Sequence, residues 1–482
     1  MKKKLVVTMV ALFILAFSFA IAPKKANAIP AFAQKYHFSC AVCHTVFPNL
    51  NPFGRAFWRN GFRLPGTNGT PSDATQITEG LSLPNPWPIP IMVEPIISYQ
   101  HYTNENVSSA TDAFGASVDV VDAGAFKLYT PLADSLSFYV HYGFGAGKGN
   151  INGKQIFASI NGLGSGFGAP SHLFNLKLGQ VTTASPYFYR QMPFYILGGP
   201  AGNGQGLTVD NQGGGEGASL IHARNAGFAL YGTPGYHLWY KVTVTNDAGA
   251  GTGEAAYYTK LVNHVTTDKS VSNAMEYSYQ LKEYYPIPMG QLEFGYYGAT
   301  VAEPLNGNAG SWTNRVTVNG VDVDLANDIY ELGLTYMVQS DNHPYGNPSL
   351  SSTNETLPDG TIVGSSNSSN GYSTFEVYGR YLFPQIGNGL MLSADYAQYS
   401  WTHKDLAEAA GGNATSTCVN SQLYGSVYTN TSLAGVCDEG IKDAFAINVE
   451  YNLAYNAHLY LAYLITNKSQ ADTVGTGLDF AF

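Results

Sequence analysis

Two cysteines three positions apart, followed at once by a histidine, stand near the start of the chain: Cys40-Ala41-Val42-Cys43-His44. Each thiol can form a thioether to one haem vinyl group. The next residue can then place an imidazole under the iron, so C-x-x-C-H reads as a c-type haem attachment sequence. Two other chemistries use C-x-x-C. A dithiol oxidoreductase wants a βαβ surrounding, and none is visible here. A zinc site wants four ligands, and no second cysteine pair lies at zinc spacing. The expected cofactor is one covalent c-type haem, with Cys40 and Cys43 as tethers and His44 as proximal ligand. His37, Met92, His101 and Met192 are candidates for the sixth position; a His–Met pair would raise the potential relative to two histidines.

Such a haem is attached outside the cytoplasm, and the first 28 residues read as the address. Met1-Lys2-Lys3-Lys4 is a positive start, Leu5 to Ala22 is an uncharged apolar run, and Ala26-Asn27-Ala28 supplies small residues for cleavage. The run is also long enough for an uncleaved anchor; cleavage after Ala28 is the expectation. Its removal takes five lysines (Lys2, Lys3, Lys4, Lys24, Lys25) from 24 basic residues, leaving 19 against 34 acidic, a balance of −15. That balance speaks against nucleic acid or an anionic membrane surface as partner and makes cations the natural visitors. Charged residues are 12% of the chain, about half the share usual in soluble proteins. Gly and Tyr, at 53 and 34 copies, fill the difference, as suits strands facing lipid.

Residues 29–88 read as the haem-bearing segment. In Phe47-Pro48-Asn49-Leu50-Asn51-Pro52-Phe53-Gly54-Arg55-Ala56-Phe57-Trp58-Arg59, Asn51 can cap a short helix with Pro52 at its first position. Phe53, Phe57 and Trp58 recur at helical spacing and could pack on a porphyrin. Arg55, Arg59 and Arg63 recur every four residues on a neighbouring face, free to pair with haem propionates or with carboxylates of an enclosing wall, or simply to be solvated. Some sixty residues bury little apolar area and would be marginal alone. Pro84-Asn85-Pro86-Trp87-Pro88-Ile89-Pro90 reads as a stiff connector onward.

From residue 89 to 482 the chain alternates apolar and polar residues with period two. Tyr236, Leu238, Tyr240, Val242 and Val244 oppose His237, Trp239, Lys241, Thr243 and Thr245; Met275, Tyr277, Tyr279 and Leu281 oppose Glu276, Ser278, Gln280 and Lys282. A soluble β-sandwich alternates too. Segments of about ten residues, tyrosines near strand ends and a last strand, Val474 to Phe482, that closes on an aromatic favour a membrane barrel. No later apolar run matches a membrane helix, so strands must do any spanning. The expected fold is all-β: an antiparallel outer-membrane β-barrel of about 16 strands with a small, partly helical haem segment plugging its lumen. Strands are expected near 91–102, 117–130, 135–145, 152–161, 172–180, 217–232, 235–246, 254–265, 272–285, 289–300, 327–340, 372–384, 388–401, 442–454, 457–467 and 473–482. The stretch 302–326, with its turn-like Asn319-Gly320, fits this scheme poorly. Residues 181–216, with Tyr187, Tyr189, Arg190 and Met192, read as a long loop of the kind porins fold inward. Cys418 and Cys437, in 402–441, are expected to form a loop disulfide in an oxidising compartment.

The C-x-x-C-H near the mature N-terminus, the Phe-Pro-x-Leu-Asn-Pro-Phe-Gly run behind it and the barrel together resemble the iron-oxidising fused monohaem cytochrome c–porin family of bacterial outer membranes. The likeness spans the chain in architecture and is sharpest over 36–63. It implies an oxidoreductase of the iron:cytochrome c type, whose haem takes an electron from extracellular Fe(II) and passes it to a periplasmic cytochrome or copper protein. Carried over residue by residue, Cys40 and Cys43 are the thioethers and His44 the proximal ligand; no iron-contacting residue of the barrel carries over. A solute porin with a structural or sensory haem, or a conduit running electrons outward, are the alternatives.

Overall fold

Uninterrupted alternation over about ten residues is what a tilted, bilayer-crossing strand requires, and the chain delivers it repeatedly. A computed structural model describes residues 36, 38–46, 49–64, 75–78, 81–83, 91–102, 110–130, 132–145, 151–182, 224–246, 266–267, 275–307, 310–342, 354–356, 362–365, 370–401, 443–454, 457–466 and 473–480. Sixteen long strands are found among them. They are β1 Ile91–Tyr102, β2 Ala110–Thr130, β3 Ala133–Gly145, β4 Ile151–Asn161, β5 Asn175–Thr182, β6 Arg224–Gly232, β7 Leu238–Asn246 and β8 Met275–Ile287. The second half comprises β9 Gly290–Gly307, β10 Gly310–Ala326, β11 Tyr330–Asp341, β12 Asn370–Phe383, β13 Leu390–Trp401, β14 Asp443–Ala454, β15 Ala457–Thr466 and β16 Thr473–Phe480. Each pairs antiparallel with its sequence neighbours, and β16 pairs with β1, so the sheet closes into a barrel without edges.

The two faces of the wall invert the soluble pattern. Tyr277, Leu332 and Leu461 point outward at 54%, 56% and 54% exposure, whereas the alternate residues Thr243, Glu331 and Glu376 are fully buried inside. An exterior of Val, Leu, Ile, Phe and Tyr around a charged interior is stable only where the exterior solvent is hydrocarbon. A β-sandwich would bury the opposite set. The connections 131–132, 233–237, 288–289, 327–329, 384–389 and 455–456 lie at one end, the end at which β1 begins and β16 stops. Short turns mark the periplasmic side of bacterial barrels.

One strand expectation changes. The stretch 302–326 is no turn: it is the top of β9 and the whole of β10, paired without a break from Gln291↔Ala326 to Gly307↔Gly310. Its alternation changes parity. Val316 and Val318 face inward, while Val321 and Val323 face outward beside inward Asp322 and Asp324. Asn319-Gly320 falls where the parity flips, so it mimics a turn. Gly320 lies under the Tyr297 ring, where a Cβ would come within 2.3 Å of Cζ. The expected strand at 254–265 lies outside the described residues; β7 pairs directly with β8 from Leu238↔Glu283 to Asn246↔Met275. With β10 added, sixteen long strands stand among the described residues. The leader, most of loop 181–216, and Cys418 and Cys437 likewise lie outside the described residues.

Candidate functional site

The C-x-x-C-H segment folds as one tight turn. Cys40–Val42 form a 3-10 turn capped by Cys43, whose N–H donates to Cys40 O at 3.1 Å. Both thiols therefore hang from a single turn. His44–Val46 follows as a short strand antiparallel to Asn49–Leu50, and helix α1, Pro52–Arg59, comes directly after. Asn51 joins the two parts. Its Oδ1 accepts from Gly54 N–H at 2.9 Å, capping the helix, and its Nδ2 donates to the carbonyls of Ala41 and Val42 at 3.3 and 3.1 Å. Its own N–H donates to Cys43 O at 3.0 Å. Gly54 allows this closeness, since a Cβ there would lie 2.1 Å from the Cys43 carbonyl oxygen and 3.0 Å from its carbon.

These contacts give the Leu-Asn-Pro-Phe-Gly run a physical reason. The residues pre-shape one turn of helix and press it onto the C-x-x-C-H turn. Asn51→Ala removes the cap and both clamps on the turn, at an expected cost of about 1–2 kcal/mol. Gly54→Ala forces the two pieces apart. Both variants should assemble their barrels normally yet carry less covalent haem, read as haem absorbance per mole of heat-modifiable barrel on a gel. Normal haem loading in both would refute the role assigned to this clamp.

An aromatic face stands beside the turn. Phe38, Phe53, Phe57 and Phe62 join Tyr36 in a chain of ring contacts at centroid distances of 5.6 to 6.4 Å. Burial raises the thiol pKa of Cys40 and pushes that of Cys43 up to about 11, with Cys40 adding to the latter. In the bare chain both sulfurs are thus neutral at physiological pH. Among the described residues no group of three or more His, Cys, Asp or Glu side chains is placed to hold a metal ion, so a zinc site finds no ligand set there. Two thiols on one turn, an imidazole next in the chain and an apolar ring surface alongside fit a covalently tethered haem. Of the sixth-ligand candidates, Met92 and His101 lie on β1, while His37 and Met192 are outside the described residues.

The helix is seated in the barrel by its arginines. Arg55, Arg59 and Arg63 are 0%, 2% and 0% exposed, so the solvated face is excluded and the wall-carboxylate option holds for the first two. Arg55 Nη1 bonds Asp324 of β10 at 2.6 Å, and its Nη2 pairs with Glu331 of β11. Arg59 grips Glu293 of β9 with two bonds, 3.1 and 2.5 Å. Arg63 lies beyond the helix end, past a turn in which Gly61 and Phe62 take φ of 69° and 62°. Among the described residues it forms no ion pair and bonds Asn175 Oδ1 at 2.6 Å instead. Arg380 of β12 supports the seat, pairing with Glu331 and donating to Leu50 O at 3.3 Å. Tyr378 lies flat over Gly333, where a Cβ would be 2.0 Å from its ring, and its hydroxyl donates to Glu331 at 2.6 Å. Burial pulls the Arg55 pKa down, but Asp324, Glu331 and Glu293 outweigh it and hold the guanidinium charged.

The carboxylates and Arg380 sit near short turns, so the segment stands in the periplasmic mouth. Trp58 departs from its expected place beside Phe53 and Phe57. It packs at 6.3 Å on Trp239 of β7, while Phe62 stacks at 5.6 Å on Tyr139 of β3.

The closed ring, apolar outside and charged within, defines a porin-like β-barrel of the outer membrane. No family model and no curated protein matches the chain. Solved structures similar to it include OmpT of Vibrio cholerae, at 9% identity over 85% of this chain and 100% of that one, with a TM-score of 0.42. Salmonella typhi OmpF, solved with daunomycin, shows 11% identity over 84% and 98%, TM-score 0.44. The anion-selective porin of Comamonas acidovorans shows 11% over 82% and 99%, TM-score 0.44.

Proposed function

We propose that the chain is an outer-membrane electron conduit, an oxidoreductase that takes electrons from extracellular Fe(II) and delivers them to a periplasmic cytochrome or copper protein. The observation that carries this reading is the clamping of the C-x-x-C-H turn onto a helix whose arginines are buried in the lumen of a membrane-spanning barrel. When bound, the haem supplies a one-electron centre: Fe(II) outside gives up one electron and becomes Fe(III). Cys40 and Cys43 tether that centre and His44 ligates it. Phe38, Phe53 and Phe57 keep water from its face, and Arg55 and Arg59 fix its depth through Asp324, Glu331 and Glu293. The apolar band of a barrel is about 25 Å tall, too thick for one surface-bound centre to serve both sides well. A site inside the periplasmic mouth stands next to its periplasmic acceptor and leaves one transfer, from the outside donor, to pass along the lumen.

A solute porin needs an open lumen, and three buried arginines spent on holding a plug work against that. The test is anaerobic addition of Fe(II) to the purified haem-bearing protein at acidic and neutral pH, followed by its visible spectrum. Rapid haem reduction is expected. Reduction by dithionite but not by Fe(II) would replace this function with an outward conduit or a haem-bearing porin.

A further inference from the structure

β9 and β10 run for 18 and 17 residues, where about ten suffice to cross a bilayer, so part of this hairpin stands clear of it. The outward face of β10 shows where the crossing ends. Rising from the short turn, Leu325, Val323 and Val321 are apolar, whereas Asn319, Thr317, Arg315 and Thr313 above them are polar or basic. The inward face changes in the opposite sense, from buried Asp324 and Asp322 to buried Val318 and Val316. Apolar residues leave the outer face where the surroundings cease to be hydrocarbon. The steps from Asn327 up to Thr317, at about 3.4 Å each along a strand tilted by about 40°, rise about 26 Å. That is the height of an apolar band, about 25 Å.

A polar clasp lies at its upper edge. Tyr279 of β8 and Tyr296 of β9 both donate to Asn319 Oδ1, at 2.5 and 3.4 Å, and their hydroxyls stand 3.1 Å apart. Rings set among apolar neighbours with their hydroxyls gathered at one level make an interfacial girdle. One row higher, Thr300 and Thr317 bring their hydroxyls within 3.3 Å. Arg315 comes next, about 5 Å above Thr317 by the same rise, which is headgroup height. It is exposed, and among the described residues it has no ion-pair partner. Ala302 opposite it, Asn342, whose N–H donates to its carbonyl, and Thr317 on the same face are neutral. A guanidinium takes a phosphate through two parallel charge-assisted hydrogen bonds, and lipid phosphate is the anion found at that height.

We propose that the outward face of β8 to β10 holds one phosphorylated glycolipid of the outer leaflet. Its phosphate lies on Arg315, and its sugar and ester oxygens meet Thr317, Asn319 and the hydroxyls of Tyr279 and Tyr296. The site is independent of the haem.

The experiment is native mass spectrometry of the full-length protein in detergent, titrated with bisphosphorylated lipid A, with heat-modifiability on a gel confirming that each barrel is folded. One retained lipid is expected on the parent. Arg315→Gln should weaken it about tenfold or more, and Arg315→Lys should keep most of the binding. Lipid A stripped of its phosphates should bind the parent no better than the intact lipid binds Arg315→Gln. Equal binding by the parent and Arg315→Gln, or equal binding with and without the phosphates, overturns the proposal. Displacement of the lipid by inorganic phosphate also overturns it, because the site would then serve a free anion. The comparison of the two lipids uses the parent alone, so it decides the matter even if a variant does not fold.

Discussion

Arg55→Ala unseats the plug and opens the barrel: in planar bilayers the variant should conduct ions well above the parent. The guanidinium is fully buried and bridges Asp324 and Glu331 on adjacent strands. Removing one partner of a buried ionic cluster leaves the others uncompensated and costs about 3–5 kcal/mol. Asp324 and Glu331 then have only Arg380 and the Tyr378 hydroxyl to share, while water can reach them once the helix withdraws. A cost of about 3 kcal/mol moves the seated-to-withdrawn ratio by about a hundredfold. The barrel itself is closed by strand pairing that does not involve Arg55, so the variant should assemble. Arg55→Lys keeps the charge but loses the fork that spans two carboxylates and should fall between. A variant that conducts like the parent, with its N-terminal segment equally protected from protease, would show that other contacts hold the plug.

How much of this could be read from the chain depended on range. The C-x-x-C-H turn is five contiguous residues, and the helix signals Asn51, Pro52 and Gly54 all act within one turn, so the turn and the helix were both legible. Strand faces were legible for the same reason: in β7 and β8 each inward residue is fixed by its neighbours' polarity. β10 was hidden because its apolar residues change face at Asn319-Gly320, and a periodicity reading takes that break for a turn. The partners of the arginines were out of reach altogether. Arg55 and Asp324 are 269 positions apart, Arg59 and Glu293 are 234 apart, and nothing local distinguishes a carboxylate facing a plug from one facing water. Spacing also misled for Trp58 and Arg63. Trp58 lies one residue round the helix from the Phe53–Phe57 line, enough to turn it to the wall, and Arg63 follows the helix rather than belonging to it.

If the proposed function holds, Cys40→Ala/Cys43→Ala should abolish covalent haem entirely, the largest change any substitution in this chain should produce. Thioether attachment does not depend on an affinity, so under the proposed function the intact chain should keep its haem through denaturation and show it by peroxidase staining on a denaturing gel. The double variant has only His44 and the rings of Phe38, Phe53 and Phe57 to retain a haem, and denaturation removes those. Each single variant retains one possible thioether and should stain at reduced yield. Intact mass adds a second readout, because a tethered haem would raise the parent above its polypeptide mass by one haem, whereas a C-x-x-C disulfide lowers the mass by two hydrogens. The dithiol alternative is therefore resolved by the same spectrum. The barrel should be indifferent to all three variants, since the ties from this segment to the wall run through Leu50, Trp58, Phe62 and the arginines, not through the cysteines. A parent chain without haem mass, from cells that attach haem to other C-x-x-C-H proteins, would sink the electron-transfer function and leave a plugged outer-membrane barrel.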